Sequence, residues 1–265
     1  ASTVTERVTL QQTICRKGTA VLTDRQNLLL QPGESRTVSF RYCVDSPALW
    51  SPENPNLYTS TMQVLEGEEE LDREETGFGI RTLSIDAAHG VRINGQTVKL
   101  RGACIHHDNG ILGAATLPDA EERRIRQLKE AGFNAIRSSH HPAGRALLDA
   151  CDRYGVLVMD ELSDVWNVRK NPYDYALYFE QDWKPTIQKM VAKDYNHPSV
   201  ILYCVGNEIS EVGSESGAET NRRLCNTFRE LDPTRYTTNA LNGLMAAGYL
   251  SLIHISEPTR RSYIS

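Results

Sequence analysis

Short stretches of alternating apolar and polar residues dominate the first third of the chain. Three of them, AVLTDRQNLLL, RTVSFRYCV and LYTSTMQVLEG, are separated by turn-forming segments rich in Pro and Gly. Alternation with a period of two predicts strands, and the Pro and Gly residues mark the turns between them. The acidic run EGEEELDREE predicts a hairpin with a solvated face, with a partner-binding patch as the alternative. Together these patterns predict a β-sandwich over residues 1–82.

From about residue 83 the pattern changes to strands that alternate with amphipathic helices. Asn94-Gly95 predicts a two-residue hairpin turn. The strands that follow are predicted in VKLRGACI, FNAIRSS, VLVMDE, SVILYCVG and YTTNA, with one helix between each pair. Asp119 is the expected N-cap of the first helix, and Gly132 and Gly155 are expected to end the first two helices. The series predicts a parallel sheet over residues 83–249, either open or closed into a barrel.

The last segment, LSLIHISEPTRRSYIS over residues 250–265, does not continue this pattern. It resembles translated sequencing-adapter sequence, and we interpret it as a non-native tail. Since the chain also starts without Met, we expect an internal fragment of a longer protein.

Composition narrows the range of partners. The chain has 265 residues, 40% of them hydrophobic and 24% charged, with a formal net charge of -5. No basic run or basic helix face is present, which argues against a nucleic-acid or membrane-surface partner. No apolar stretch is long enough to cross a membrane as a helix.

Four consecutive strands of the predicted sheet end in clusters of polar residues. The clusters are His106, His107 and Asp108; Ser138, Ser139, His140 and His141; Asp160 and Glu161; and Asn207 and Glu208. The carboxyl ends of parallel strands lie on one face of a sheet, so these side chains are expected around one pocket. For His107 and His141 a structural role is an equal alternative, as is an ion pair of Asp160 or Glu161 with Arg137.

Glu208 carries the chemical interpretation. A carboxylate at the end of a buried strand is costly unless it is paired or its pKa rises, and a raised pKa suits a general acid. Such an acid can protonate a glycosidic oxygen while a second carboxylate attacks the sugar. Asn207 is suited to bind a sugar hydroxyl, and Trp166 to stack on a sugar ring.

Several longer motifs resemble glycoside hydrolase family 2, which includes β-galactosidases, β-glucuronidases and β-mannosidases. They are LWSPENPNLYT with GFGIRTLSID, NGQTVKLRGACIHHD, GFNAIRSSHHP, DRYGVLVMDE and NHPSVILYCVGNE. The resemblance spans about residues 40 to 240. It implies part of an immunoglobulin-like β-sandwich domain, followed by the first five strands of a (β/α)8 TIM barrel.

The resemblance also assigns roles by position. Glu208 matches the general acid/base, and the expected substrate-binding residues are His106, Asp108, Arg137, His140 and Asn207. His141 stands where the family usually has Tyr. The family's nucleophile, a Glu on the seventh strand, is expected beyond this chain, so the fragment alone is expected to be inactive.

No cofactor is clearly implied. The magnesium site of some β-galactosidases uses a Glu-x-His pair soon after the third strand, and DELSDVWN lacks that pair. No metal ligand is therefore assigned.

The preferred interpretation is a retaining β-glycosidase for terminal β-linked sugars, with galactose preferred because that activity is common in the family. β-Glucuronidase, β-mannosidase and an inactive sugar-binding fragment remain alternatives. A metal-dependent barrel hydrolase that uses His106, His107, His140 and Asp108 is a further one, although adjacent His side chains point in opposite directions along a strand. Homo-oligomer formation by the parent enzyme and its compartment (cytoplasm, periplasm or outside the cell) are left open.

Overall fold

The alternating stretches of the first unit, residues 1–81, form one antiparallel sheet. The computed structural model of the chain describes residues 3–241. The strands of the first unit are β1 (Glu6–Arg16), β2 (Thr19–Leu30), β3 (Tyr58–Glu66) and β4 (Glu69–Phe78), in the spatial order β2-β1-β3-β4. β3 and β4 form the hairpin predicted from the acidic run, and most residues of β4 are exposed, which confirms the solvated face.

One strand prediction in this unit was wrong. The segment RTVSFRYCV belongs to no strand, although half-buried and exposed residues alternate along it. Val38, Phe40 and Tyr42 are on the half-buried side, and the rings of Phe40 and Tyr42 stack with centroids 5.8 Å apart. Alternation reports which side chains face the protein, but a strand also needs a hydrogen-bonded neighbour. Within residues 3–81 the segment pairs with no other strand.

The second unit, residues 82–265, contains the predicted alternation of strands and helices. Its strands are β5 (Leu83–Asp86), β6 (Gly90–Ile93), β7 (Gln96–Thr97), β8 (Gly102–Ile105), β9 (Ala135–Ser138), β10 (Leu157–Glu161), β11 (Val200–Asn207) and β12 (Tyr236–Ala240). Its helices are α1 (Pro118–Glu130), α2 (Arg145–Tyr154), α3 (Phe179–Asp194) and α4 (Glu215–Leu231). Short 3-10 helices span Gly110–Leu112, Tyr175–Leu177 and Ser210–Gly213.

The first three of these strands form a small antiparallel sheet in the order β5-β6-β7. Asn94 and Gly95 connect β6 to β7 with φ angles of 51° and 77°. Two consecutive positive φ angles are the signature of a type I′ turn, so the hairpin predicted from Asn94-Gly95 is confirmed.

The other five strands form a parallel sheet in the order β12-β11-β10-β9-β8. Each strand lies beside its predecessor in the sequence, and one helix connects each pair. This unbroken order is that of a (β/α) barrel, because an open doubly wound sheet reverses its order at one point. The sheet therefore corresponds to five consecutive strands of a barrel, as predicted.

The helix ends agree with the sequence in part. Gly155 follows α2 in the left-handed conformation with φ 66°, and Gly132 follows α1 with φ 88°, so both stops are confirmed. The N-cap assigned to Asp119 was wrong, because α1 begins at Pro118 and its N-cap is Leu117. Proline is favoured at the first helical position, where no backbone N–H is needed, and it moves the start of α1 ahead of Asp119.

The core of this unit lies between the sheet and its helices. Buried side chains from all four helices meet those of the strands, among them Ile125, Leu148, Ile187 and Phe228. Tyr203 of β11 stacks on Phe228 of α4 with ring centroids 4.5 Å apart. Packing on this side fixes the strands, and therefore fixes where their carboxyl ends lie. None of the helices in the described part of the chain has the length and apolar character of a membrane span.

Candidate active site

Glu161, the last residue of β10, is fully buried and binds two residues from the end of β9. Its Oε2 accepts a hydrogen bond from Nε of Arg137 at 2.6 Å, and its Oε1 lies 2.7 Å from Nδ1 of His140. Burial alone would lower the pKa of Arg137, but the hydrogen bond and the charge of Glu161 raise it, so the guanidinium stays charged. Glu161 therefore forms the ion pair with Arg137 that the sequence left as an alternative.

Asn207 joins this pair to the next loop. Its Oδ1 accepts from Nη2 of Arg137 at 2.8 Å, and its Nδ2 donates to Oδ1 of Asp164 at 2.8 Å. Nζ of Lys170 donates to the same Asp164 oxygen at 2.8 Å and to the backbone carbonyl of Asn207 at 2.7 Å. Burial would raise the pKa of Asp164, but the hydrogen bonds from Lys170 and Asn207 hold it below its ordinary value. An ionised carboxylate and an ammonium group thus lie directly beside the end of β11.

Asp160 has a different role from its neighbour Glu161. Its Oδ1 accepts hydrogen bonds from Oγ of Ser138 and from the backbone N–H of Ala143, and its Oδ2 lies 3.3 Å from Nζ of Lys193 on α3. Consecutive strand residues point to opposite faces, so Asp160 points to the helix side when Glu161 points to the site. We interpret Asp160 as a structural residue that fastens the segment after β9.

Glu208 follows Asn207 directly and is exposed in the described structure. Its φ angle is 44°, and its backbone N–H donates to the carbonyl of Ala240 at 2.8 Å. The sequence argument assumed a carboxylate against apolar walls, and within residues 3–241 that burial is absent. The left-handed turn at Glu208 explains the difference, because it takes the chain out of the strand direction immediately after the buried Asn207.

The four histidines at the ends of β8 and β9 divide into two pairs. The rings of His106 and His140 meet edge to face with centroids 5.2 Å apart, and those of His107 and His141 stack at 4.5 Å. His106 is thereby linked through His140 to Glu161, whereas His107 and His141 form a separate pair. Burial lowers the pKa of both His107 and His141, which favours their neutral forms.

Asp108 lies at the edge of this arrangement. Its Oδ1 accepts from the backbone N–H of Gly110, and its backbone carbonyl accepts from Nη2 of Arg124. It borders a surface cleft with residues of α1, and its side chain is exposed. The structure thus brings Arg137, His140, Asn207 and His106 together, with Glu208 next in sequence, and leaves the Asp108 side chain outside the hydrogen-bonded network among the described residues.

The histidines and Asp108 do not form the ligand set of a metal-dependent hydrolase. Across residues 3–241, the one group of three His, Cys, Asp or Glu ligand atoms within 4.8 Å of each other is Asp149, Asp152 and His197. Nδ1 of His197 lies 2.6 Å from Oδ2 of Asp152, and the other oxygen of Asp152 accepts from the N–H of Ser199. These bonds lie just before β11, at the end of the sheet opposite the candidate site, and they fasten α2 to the start of that strand.

The segment after β10 does not fit a magnesium ion either. Oδ1 of Asp164 and the carbonyl of Asn207 are oxygens of the kind that a hard cation binds, and both already accept from the Lys170 ammonium. A divalent cation would have to displace that charge. The chain's own residues thus supply a cation here, and no step of the chemistry is assigned to magnesium.

Three side chains fasten the loop that carries Asp164 and Lys170, residues 162–178. Nε1 of Trp166 donates to the carbonyl of Val205 at 2.9 Å, and Glu211 accepts the N–H groups of residues 167 and 168. Asp174 accepts the N–H groups of residues 170 and 171. Trp166 is fully buried, so the expectation that it stacks on a sugar ring was wrong. It holds the loop against β11 instead.

Sequence reasoning missed Asp164 and Lys170 as site residues. Both lie in a loop without hydrophobic periodicity, so no pattern places their side chains. The one available signal was their position, since loops after the strands of a barrel are where such folds carry their sites.

A singly wound parallel sheet whose strand ends combine a buried glutamate, an arginine, a histidine and an Asn-Glu pair is typical of (β/α)8-barrel glycoside hydrolases. The chain belongs to glycosyl hydrolases family 2. The TIM barrel domain of that family matches residues 87–256, and a second domain of the same family matches residues 1–81. An immunoglobulin-like domain followed by part of a TIM barrel, as predicted, is therefore confirmed.

Relatives with known names agree with the family. The chain is 40% identical over 250 residues to the β-galactosidase BoGH2A of Bacteroides ovatus, a match that covers 92% of this chain and 29% of the relative. A crystal structure of a family 2 member from Bacteroides cellulosilyticus matches with a TM-score of 0.86 and 41% identity, over 94% of this chain and 33% of that one. The β-glucuronidase of Bacteroides uniformis matches with a TM-score of 0.82 and 30% identity, over 95% of this chain and 32% of that one. The chain thus spans about a third of the length of these relatives.

Proposed function

We propose that residues 1–249 form part of a longer retaining β-glycosidase that hydrolyses terminal β-linked sugars, with β-galactosides as the preferred substrates. The observation that carries the proposal is the hydrogen-bonded chain His140–Glu161–Arg137–Asn207, which gathers the ends of three strands immediately beside Glu208. The preference for galactose is supported by the name of the 40% identical relative from Bacteroides ovatus. β-Glucuronides are the second candidate, because several relatives are named β-glucuronidases.

In this proposal Glu208 is the general acid/base. It protonates the oxygen of the leaving group in the first step and removes a proton from water in the second. Its exposure suits this role in the complete enzyme, because the carboxyl must reach both a departing alcohol and an incoming water. The carboxylate that attacks the anomeric carbon is assigned to a part of the enzyme beyond this chain.

Asn207, Arg137 and His140 bind the sugar or hold the groups that bind it. Both ends of the Asn207 amide are fixed, yet by count one N–H and one oxygen lone pair are left over for a sugar hydroxyl. A hydrogen bond to a hydroxyl next to the reacting carbon strengthens as positive charge develops in the transition state. His106 and Asp108 are assigned to the rim of the same site, with His106 nearer because its ring contacts His140.

The experiment uses the complete enzyme, produced from its full gene or as a chimera in which this segment replaces the matching third of BoGH2A. We expect hydrolysis of p-nitrophenyl β-D-galactoside with retention of configuration. NMR of the first sugar product formed detects its anomeric configuration. Glu208→Gln is expected to lower kcat/KM for alkyl galactosides by about 100-fold to 10,000-fold, the usual contribution of general acid catalysis. Glu215→Gln, at the exposed start of α4, is the matched control and should leave kcat/KM unchanged.

Substrate choice is tested in the same assay with the glucuronide and the mannoside. If the glucuronide or the mannoside is hydrolysed faster than the galactoside, that sugar replaces galactose in the proposal. Full activity of Glu208→Gln on alkyl glycosides would overturn the acid/base assignment. The isolated 265-residue chain is expected to show no turnover, since one carboxylate cannot carry out a double displacement. Turnover by that chain would contradict the assignment of the nucleophile to a part of the enzyme beyond this chain.

A further inference from the structure

The peptide group between Asn207 and Glu208 is held from both sides. Its carbonyl, which belongs to Asn207, accepts a hydrogen bond from Nζ of Lys170 at 2.7 Å. Its N–H, which belongs to Glu208, donates to the carbonyl of Ala240 at 2.8 Å. Since a peptide group is planar, two hydrogen bonds at its opposite ends fix the orientation of the whole plane. The direction in which Glu208 leaves the backbone follows from that plane.

This fixation is needed because the backbone at Glu208 is strained. Its φ angle is 44°, in a region that residues other than Gly, Asn and Asp rarely occupy. Such a conformation persists only where the surroundings hold it, at a free-energy cost of about 1–3 kcal/mol. Without its hydrogen bonds, the peptide group would rotate toward a relaxed conformation and point the Glu208 side chain elsewhere.

Two aspartates hold Lys170 in position. Its ammonium pairs with Oδ1 of Asp164, and the backbone N–H of Lys170 is bound by Asp174. Asp164 also accepts from the side chain of Asn207, so one carboxylate orients both Lys170 and Asn207. About a quarter of the Lys170 side chain is exposed, 24%, so the ammonium loses part of its hydration and gains a defined position instead.

We propose that Lys170, oriented by Asp164, is a positioning residue that aims Glu208 at the glycosidic oxygen. The inference rests on the proposed function, because it assigns Lys170 an effect through the acid/base role of Glu208. Lys170 itself does not touch the reacting atoms in this proposal. Its contribution is the orientation of the Asn207–Glu208 peptide group.

The test compares leaving groups in the complete enzyme. Protonation by a general acid matters for a poor leaving group such as methanol, and much less for 2,4-dinitrophenolate, which leaves without a proton. Lys170→Met is expected to lower kcat/KM for methyl β-galactoside about 100-fold, the effect of a misplacement of about 1 Å. For the dinitrophenyl substrate we expect a reduction of about fivefold at most, because the assistance of Glu208 is dispensable there.

One further variant and one control complete the design. Asp164→Asn keeps an oxygen acceptor but removes the charge that orients Lys170, so it should show the same selective loss at smaller size. Lys189→Met, which removes an exposed positive charge from α3, should change neither rate. Circular dichroism melts of all variants check that the fold is kept.

The outcomes separate the two proposals. If Glu208→Gln shows the selective loss for methyl β-galactoside and Lys170→Met does not, the positioning role is refuted and the proposed function stands. If Lys170→Met lowers kcat/KM for both substrates equally, Lys170 acts on binding or folding, and the positioning role is likewise refuted. If Glu208→Gln itself shows no selective loss, the acid/base assignment fails first.

Discussion

Nη2 of Arg137 donates a hydrogen bond of 2.8 Å to Oδ1 of Asn207, so a residue of β9 contacts a residue of β11 across the intervening β10. Such a contact agrees with strand ends that converge, as they do in a barrel. Glu161 of the intervening β10 also binds Arg137. The ends of three strands therefore behave as one unit, and changes in one member should affect the others.

Glu161→Gln should destabilise the second unit strongly. The variant leaves the Arg137 guanidinium partly buried without its negative partner, which typically costs about 3–5 kcal/mol. Chemical denaturation of the complete enzyme, with and without the substitution, compares the denaturant midpoints. Glu219→Gln, which breaks the exposed ion pair with Arg222, is the matched control and should cost less than about 1 kcal/mol. Equal losses in both variants would contradict the structural importance of the buried pair.

Gly206→Ala should destabilise the end of β11. A Cβ atom at residue 206 would lie 2.7 Å from Cγ1 of Ile209 and 3.0 Å from Nε1 of Trp166. Overpacking of this kind costs about 1–3 kcal/mol, and it would push Trp166 off the carbonyl of Val205. Gly77→Ala is the control, because nothing lies within 4 Å of a Cβ atom there. Thermal melts of the two variants should differ clearly, and similar melting temperatures would show that the packing around Gly206 is looser than described.

The stability of the second unit should fall as the pH drops below about 6.5. Burial lowers the pKa of His107 and of His141 from their ordinary value of 6.5, so the unfolded chain binds protons more readily than the folded chain below that pH. Their contribution is complete above pH 6.5 and is lost as the pH falls through the lowered values. Glu121, Asp160 and Glu161 oppose the effect, and neighbouring cationic groups reinforce it.

His141→Tyr tests this pH dependence, because it keeps an aromatic ring against His107 and removes one titrating group. The free energy of unfolding, measured at pH 7.5 and at pH 5.5, should depend less on pH in the variant than in the unchanged chain. An identical or steeper dependence in the variant would show that His141 does not contribute to it.

The isolated chain should self-associate. Within residues 82–241, β8 and β12 are edge strands of the parallel sheet, and unpaired edges are templates for pairing with other chains. The strands also line an apolar hollow of about 230 Å³, with residues that include Leu100, Leu157 and Met159. Light scattering after size-exclusion chromatography should find species above the monomer mass at micromolar concentration. A soluble monomer with one sharp cooperative melt is the contrary result.

The sequence predicted the elements of the second unit well, because its signals there are strong and local. Asn94-Gly95 allows little besides a tight hairpin turn, and Gly155 follows α2 in a conformation that favours glycine. The clusters at the strand ends followed from one rule of parallel sheets. That rule fixes which ends of the strands lie together, so the prediction needed no information about contacts between side chains.

What the sequence did not predict depends on partners that lie far apart in the chain. Lys170 and Asn207 are 37 positions apart, and nothing local indicates that an ammonium group binds that carbonyl. Trp166 was expected at a sugar ring because exposed aromatic residues bind sugars, but its burial is a tertiary property. The segment around Phe40 has the alternation of a strand without the neighbour that a strand requires.

Arg235 shows how the opposite end of β11 is held. Its buried side chain donates to the carbonyls of Val200 and His197 and pairs with Asp232. These contacts hold the N-terminal end of β11 in place. The anchoring contacts and the candidate site thus occupy separate ends of β11. Laboratory evolution can therefore vary the exposed positions of residues 162–178 in combination, provided that Asp164, Trp166 and Lys170 are kept. Such variation at one end of β11 leaves the contacts of Arg235 at the other end intact.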